Sequence, residues 1–130
     1  MGQRGHWSHC TRFAPLNASV FEARAFIRHH LTEHDLAVLV DVVQSVGSEL
    51  ATHAALESRI PFTLLLERFD SLVRVTVRDD SLLRSVLAVA PPPMALRGRG
   101  LRIVQARSRD WGITGRSTSA KAIWASFDVP

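Results

Sequence analysis

Three short segments of the sequence carry side chains whose types and spacing suit phosphate or nucleotide chemistry. Glu49 and His53 are four residues apart in a helical pattern, so both side chains reach the same side of one helix. A strand-like pattern ends at Asp79, which places a carboxylate at the end of a strand. The segment 98–104 has a glycine turn that leads into a helical pattern, and the free N–H groups of a helix N-terminus favour anions such as phosphate.

Each of these segments also has an ordinary structural explanation when it is taken alone. A glutamate beside an apolar helical stripe is most often a solvated residue, and two aspartates after a strand commonly form a turn. A G-x-G sequence before a helix is more often a plain loop than a phosphate site. The order of the segments favours the functional interpretation, because a helix glutamate, a strand-terminal aspartate, a long connection and a glycine turn follow one another within one domain.

Two helices are predicted in the first half of the chain. The first covers about residues 20–32, and the S-x-x-E sequence that starts at Ser19 predicts a capping box. The second covers about residues 35–55 and is a main structural element of so small a domain, with a length of ~30 Å. Its apolar residues recur at helical spacing and form one stripe: Leu36, Leu39, Val40, Val43, Val46, Leu50 and Ala54.

The second half of the chain begins with a two-residue period that predicts strands. They cover residues 62–69 and 72–78, and they form a half-buried antiparallel hairpin. Residues 80–99 have a poor pattern, and a connection of that length is often a functional lid. A helical pattern resumes at Leu101, and a last strand is predicted over about residues 120–129. This order predicts a layer of helices on a mostly antiparallel sheet.

Length and composition narrow the class of protein. The 130 residues fit one compact domain, predicted over residues 12–130, after an arm over residues 1–11 that is either loose or a first edge strand. No apolar run approaches the ~20 residues of a membrane span, and the single Cys10 needs no oxidising compartment, so a cytoplasmic protein is expected. The net charge of +4 comes from arginines scattered among acidic residues, which argues against nucleic acid as the main partner.

Short motifs across residues 12–130 resemble the GHKL superfamily of ATPases, and within it the small anti-sigma-factor serine/threonine kinases. The N-box of that family reads roughly S-E-L-V-T-N-A, and residues 48–54 read S-E-L-A-T-H-A. Its adenine box follows a V-x-V-x-D strand, as in residues 75–79, and its lid ends in G-R-G-L-x-I-V, as in residues 98–104. Weaker matches are to the family's A-R-x-F, W-G-V and G-K-x-V-W patterns. This sequence has A-R-A-F at residues 23–26, W-G-I at residues 111–113 and A-K-A-I-W at residues 120–124.

The resemblance implies a fold, an activity and a set of site residues. The fold is α+β, a two-layer α/β sandwich with a mixed, mostly antiparallel sheet and helices on one face. ATP and Mg²⁺ bind under the lid, and the protein regulates transcription by switching between a sigma factor and an anti-anti-sigma protein, which kinases of this branch phosphorylate on serine. Members of the family often form homodimers. The resemblance implies that Glu49 is the general base, that His53 stands at the metal-ligand position and that Asp79 anchors adenine. It also implies phosphate contacts at Gly98, Gly100 and Leu101, with Arg99 as a neighbouring charge.

The sequence departs from the family pattern at the metal and nucleotide contacts. His53 stands where the family has the asparagine that binds Mg²⁺, and Ser81 and Leu83 replace two glycines of the adenine box. Ala120 replaces the glycine before Lys121. An alternative function is therefore a catalytically inactive protein-interaction module on the same fold, with a decayed nucleotide site.

The histidines outside the N-box suggest a more remote alternative. His30 and His34 are one helical turn apart and would form a metal-binding pair if the first helix extends that far. His6, His9 and Cys10 lie near the N-terminus and are candidate additional ligands. The ordinary explanation of the pair is solvated residues at the end of a helix. A metal-binding or DNA-binding protein built on the histidines and arginines remains the third hypothesis.

Overall fold

The structure, a computed structural model, describes residues 5–57, 59–79, 99–114 and 121–130. For residues 56, 57, 79, 99–101 and 121 it describes the backbone alone. These parts of the chain contain eight regular helices and strands, one 3-10 turn and one π-helical turn. In chain order they are β1 His6–Phe13, α1 Asn17–Glu33, a 3-10 turn Ala37–Leu39, α2 Val40–Thr52, a π-helical turn His53–Glu57, β2 Phe62–Phe69, β3 Leu72–Asp79, α3 Arg99–Arg107, β4 Asp110–Thr114 and β5 Lys121–Asp128.

The five strands form one sheet in the order β1-β2-β3-β5-β4. Every strand pair among the described residues is antiparallel, whereas the resemblance implies a mixed sheet. Strand β1 starts at His6 and pairs along its whole length with β2. An edge strand of the sheet therefore lies at the start of the described residues. The coarse prediction of an α+β fold with helices on an antiparallel sheet is confirmed.

One face of the sheet is covered by helices and forms the core. Helix α2 contacts β3 and β5, and α1 packs on α2 and reaches β1. The hydrophobic effect stabilises this layer because alternate strand residues all point toward the helices. The buried strand residues are Phe62, Leu64, Leu66, Val73, Val75, Val77, Ile123, Ala125 and Phe127. The predicted apolar stripe of α2 is confirmed, since all seven of its residues are buried.

Both predicted helices differ from the structure at their starts. Helix α1 begins at Asn17, and Ser19 lies inside it and is buried, so the predicted capping box is wrong. The second helix is predicted from residue 35, whereas α2 begins at Val40. The chain turns here because Asp35 has a φ of 61°, in the left-handed region, and a 3-10 turn follows.

No helix among the described residues combines the length and the apolarity needed to cross a membrane.

Candidate functional site

Helix α2 positions the first two predicted site residues. Glu49 lies in its last turn and is half-buried, at the edge of the apolar stripe. His53 follows one turn later, and its φ of −58° and ψ of −48° continue the helical path. The prediction that both residues lie on one helical path, four positions apart, is confirmed. His53 is only 6% exposed, so its imidazole belongs to the protein interior rather than to a solvated helix end.

A π-helical turn starts at His53 and runs to Glu57. Such turns insert one residue into the helical path, and they are frequent at functional sites. After the turn, the N–H of Ile60 donates back to the carbonyl of Ala54, at 3.2 Å. Sequence patterns give no signal for this widening, because the helix-forming residues 51–57 favour an ordinary α-helix equally well.

The donor set at the end of α2 does not suit Mg²⁺. The resemblance implies a metal ligand at position 53, where the structure has the buried imidazole of His53. Mg²⁺ prefers oxygen ligands in near-octahedral geometry, and a neutral imidazole offers a nitrogen. Glu49 supplies carboxylate oxygens one turn earlier, but the pair does not reproduce the expected glutamate and asparagine. His53 is therefore not a fitting Mg²⁺ ligand.

Strand β3, which α2 contacts, ends at Asp79. Position 79 is the last of the strand, opposite Phe62 of β2 and Lys121 of β5. It continues the alternate set of Val73, Val75 and Val77 along the strand. The predicted placement of an aspartate at the end of a strand is confirmed.

Helix α3 begins at the predicted glycine turn. Its first three residues are Arg99, Gly100 and Leu101, so these three residues form the first turn of a helix with their backbone N–H groups at the N-terminus. Gly98 lies outside the described residues. Val104 fixes the middle of α3 in the core, where it is completely buried.

A chain of polar contacts connects the three helices beside Glu49. Arg107 of α3 donates to the hydroxyl of Ser45 at 3.1 Å, and the hydroxyl of Ser48 donates to the carbonyl of Ser45 at 3.1 Å. Arg24 of α1 donates to the hydroxyl of Ser48 at 3.2 Å. Ser45 and Ser48 lie four residues and one residue before Glu49. Hydrogen bonds from both α1 and α3 therefore reach α2 within four residues of Glu49.

Sequence reasoning missed the buried Gln44 in the same region. The helical pattern of α2 places it away from the apolar stripe, yet it is only 4% exposed. Its side-chain amide donates to the carbonyl of Arg24 at 2.8 Å, and this bond allows burial of a polar group at the contact of α1 and α2. A pattern of apolar residues cannot reveal such a position, since the partner is a backbone carbonyl of another helix.

An open groove of about 580 Å³ lies along α1 and reaches α2. It is separate from the predicted site, because none of the predicted site residues lines it. The lining residues are Arg24, Ala25, Arg28, His29, Thr32, Glu33 and Gln44.

The metal-binding alternative is not supported by the described part of the chain. No group of three or more histidine, cysteine, aspartate or glutamate residues there is arranged to hold a metal ion. Cys10 is exposed on strand β1. His30 and His34 do come together with His9, but as stacked and hydrogen-bonded rings rather than as a set of converging ligands.

Comparison with known proteins assigns no family to the chain. The sequence matches no protein-family model, and no curated protein matches it significantly. The basis for a functional proposal is therefore the set of short motifs and the arrangement of α2, β3 and α3.

Proposed function

We propose that this chain is an ATP-binding regulatory protein of the anti-sigma-factor kinase type. The observation that carries the proposal is that three segments distant in sequence belong to neighbouring elements. Helix α2 bears Glu49 and contacts both β3, which ends at Asp79, and α3, which begins at Arg99. These are the segments to which the GHKL resemblance assigns the base, the adenine contact and the phosphate contacts.

The chemistry of each segment supports the role that we propose for it. The backbone N–H groups of Arg99, Gly100 and Leu101 suit phosphate binding, because N–H groups in the first turn of a helix have no partner within that helix. Asp79 accepts a hydrogen bond from the adenine amino group. Glu49 accepts the proton of the attacking hydroxyl or water, which is ordinary work for a positioned carboxylate. No step is assigned to Mg²⁺, because His53 does not fit as its ligand.

The partners in the proposal follow from the resemblance. They are a sigma factor and an anti-anti-sigma protein, between which the protein switches to control transcription in the cytoplasm. A homodimer is the assembly that the resemblance suggests. Phosphorylation of a serine on the anti-anti-sigma protein is the corresponding enzyme activity.

Calorimetric titration of the full chain with ATP and with ADP tests the binding step. Loss of one hydrogen bond to a charged group costs about 1.5–3 kcal/mol, so Asp79→Ala should weaken ATP binding by roughly 10- to 100-fold. Asp41→Ala is the matched control, since Asp41 is an exposed carboxylate in the first turn of the same helix as Glu49. Absence of both heat and a thermal shift at about millimolar nucleotide would refute the proposal.

The role of Glu49 is tested by ATP hydrolysis. Glu49→Gln should lower the rate by about 10²–10⁴-fold while the affinity for ATP changes little, because the base acts in the transition state. Glu22→Gln, on the exposed side of α1, is the control and should leave the rate unchanged. Equal rates for the Glu49→Gln and control variants would exclude Glu49 as the base.

A second candidate function is an inactive protein-interaction module with a decayed nucleotide site. The buried imidazole at position 53 favours it, because this residue replaces an oxygen ligand with a nitrogen ligand at the implied metal position. His53→Asn distinguishes the two candidates. Gain of Mg²⁺-dependent ATP binding in the variant would identify one missing ligand, whereas ATP binding by neither protein would support the interaction module.

A further inference from the structure

Three histidine rings and one indole meet where the end of α1 lies against strand β1. The Nε2 atoms of His9 and His34 are 2.9 Å apart, which is a hydrogen-bond distance. The ring of His30 stacks on His9, with centroids 3.8 Å apart and planes at 12°. Trp7 stacks on His34, with centroids 4.1 Å apart and planes at 6°. All four side chains are half-buried.

We propose that His9, His30 and His34 form a proton-sensitive clasp, which holds the end of α1 on the edge strand β1 at neutral pH and loosens in mild acid. The clasp connects residues 25 positions apart in sequence through a side-chain hydrogen bond. Backbone hydrogen bonds to β2 hold β1 independently of the clasp. The part that protonation releases is therefore the last turn of α1 and the turn that follows it.

Only one hydrogen can lie between the Nε2 atoms of His9 and His34. A neutral imidazole has one N–H donor and one acceptor nitrogen, whereas the imidazolium has two donors. When both rings are protonated, two N–H groups of two cations face each other across 2.9 Å, and the bond cannot form. The stacked ring of His30 adds a third positive charge beside them on protonation.

The surroundings of His30 and His34 lower the pKa of both rings on balance. Burial, followed by the charges of His9, His29 and His34, lowers the pKa of His30, although Glu33 opposes this shift. Burial and His9 likewise lower the pKa of His34, and Arg68 acts in the same direction. Glu33 and Asp35 oppose the lowering at His34, and the C-terminal end of α1 also favours a positive charge there.

The sign of the pH effect follows from these lowered pKa values. Below the ordinary histidine pKa of 6.5, the unfolded chain binds protons that the folded clasp resists, so the folded state loses stability as the pH falls. The contribution is fully present above pH 6.5 and decreases from there toward the folded pKa values. Each histidine proton changes the unfolding constant by up to about tenfold per pH unit in this window, and two protons change it by up to about 100-fold.

Urea unfolding of the full chain between about pH 7.5 and pH 5.5 tests the clasp. The wild-type unfolding constant should increase with acid, and His30→Gln and His34→Gln should each reduce that increase by up to about tenfold per pH unit. His6→Gln is the control, because His6 lies beside Asp70 with 58% of its side chain exposed, away from the clasp. An unchanged acid response in both clasp variants would overturn the proposal.

Proton NMR titration of the wild-type histidine rings gives a test that needs no variant to fold. The ring signals of His30 and His34 should titrate below pH 6.5, and amide exchange in the last turn of α1 should accelerate over the same range. Titration of both rings at or above pH 6.5 would overturn the clasp, whatever the unfolding data show.

Discussion

The close approach of α2 to α1 at Gly47 gives a prediction whose size can be derived from the structure. A Cβ atom at this position would lie 2.6 Å from Cδ1 of Ile27 and 3.7 Å from Cγ2 of Val75. Carbon atoms prefer about 3.5–4.0 Å, so the methyl group of Ile27 must move by roughly 1 Å. Ile27 is completely buried, and overfilling a core costs about 1–3 kcal/mol. Alanine regains about 0.8–1.0 kcal/mol of helix propensity. The expected net effect of Gly47→Ala is a loss of about 0–2 kcal/mol in the free energy of unfolding.

Removal of the obstructing methyl group should reverse the sign of that effect. Ile27→Val alone costs about 0.5–1.5 kcal/mol, but it deletes the Cδ1 atom that lies 2.6 Å from the new Cβ. In that background, Gly47→Ala should stabilise the protein by about 1 kcal/mol, through helix propensity. A double-mutant cycle should therefore give a coupling energy of about 1–3 kcal/mol between the two sites.

Urea denaturation followed by circular dichroism measures all four members of this cycle. Ile113→Val is the matched control, since the atoms nearest to the new Cβ belong to Ile27 and Val75. It should leave the effect of Gly47→Ala unchanged. If Gly47→Ala destabilises the wild type and the Ile27→Val background equally, the contact with Ile27 does not explain the need for glycine at position 47.

Two further predictions concern backbone and ring geometry outside α2. Gly112→Ala would place a Cβ 2.7 Å from Cζ2 of Trp124, so the indole must move, with a loss of about 1–3 kcal/mol and a shift of the Trp124 signal in ¹⁹F-tryptophan NMR. An unmoved signal would contradict this. Arg59 has a φ of 58°, and Arg59→Gly should raise the free energy of unfolding by about 1 kcal/mol in the same urea assay. Arg28→Gly, on the exposed side of α1, should instead lower it by about 1 kcal/mol.

Local periodicity was sufficient to predict the elements whose burial repeats along the chain. In β3, Val73, Val75 and Val77 are buried and the residues between them are not. This pattern was predictable because the two-residue period of a strand appears in its own sequence, whatever its neighbours are. The stripe of α2 was predictable for the same reason. The start of α2 was not predictable, because Asp35 turns the chain through a positive φ without a glycine or proline to signal it.

Sequence patterns could not predict the features that depend on contacts between distant residues. The spacing of His30 and His34 indicated that the two rings lie on one face of a helix. Their contact with His9 depends on the register of β1 and on where α1 crosses it, and neither is encoded locally. In the same way, the i, i+4 spacing of Glu49 and His53 predicted their common side, but the burial of His53 comes from the fold around it.

Two features coincide at His53, the residue that follows the end of α2. His53 changes the donor atom from oxygen to nitrogen, and it also begins the π-helical turn that widens the helical path. By contrast, α2 is contacted shortly before Glu49 by both neighbouring helices, by Arg24 at Ser48 and by Arg107 at Ser45. A catalytic base needs a well-defined position, since small displacements reduce its efficiency, and these contacts position the backbone of α2 that carries Glu49. Under the proposed function, the departure from an active nucleotide site therefore lies at His53, where the donor atom changes, rather than at Glu49.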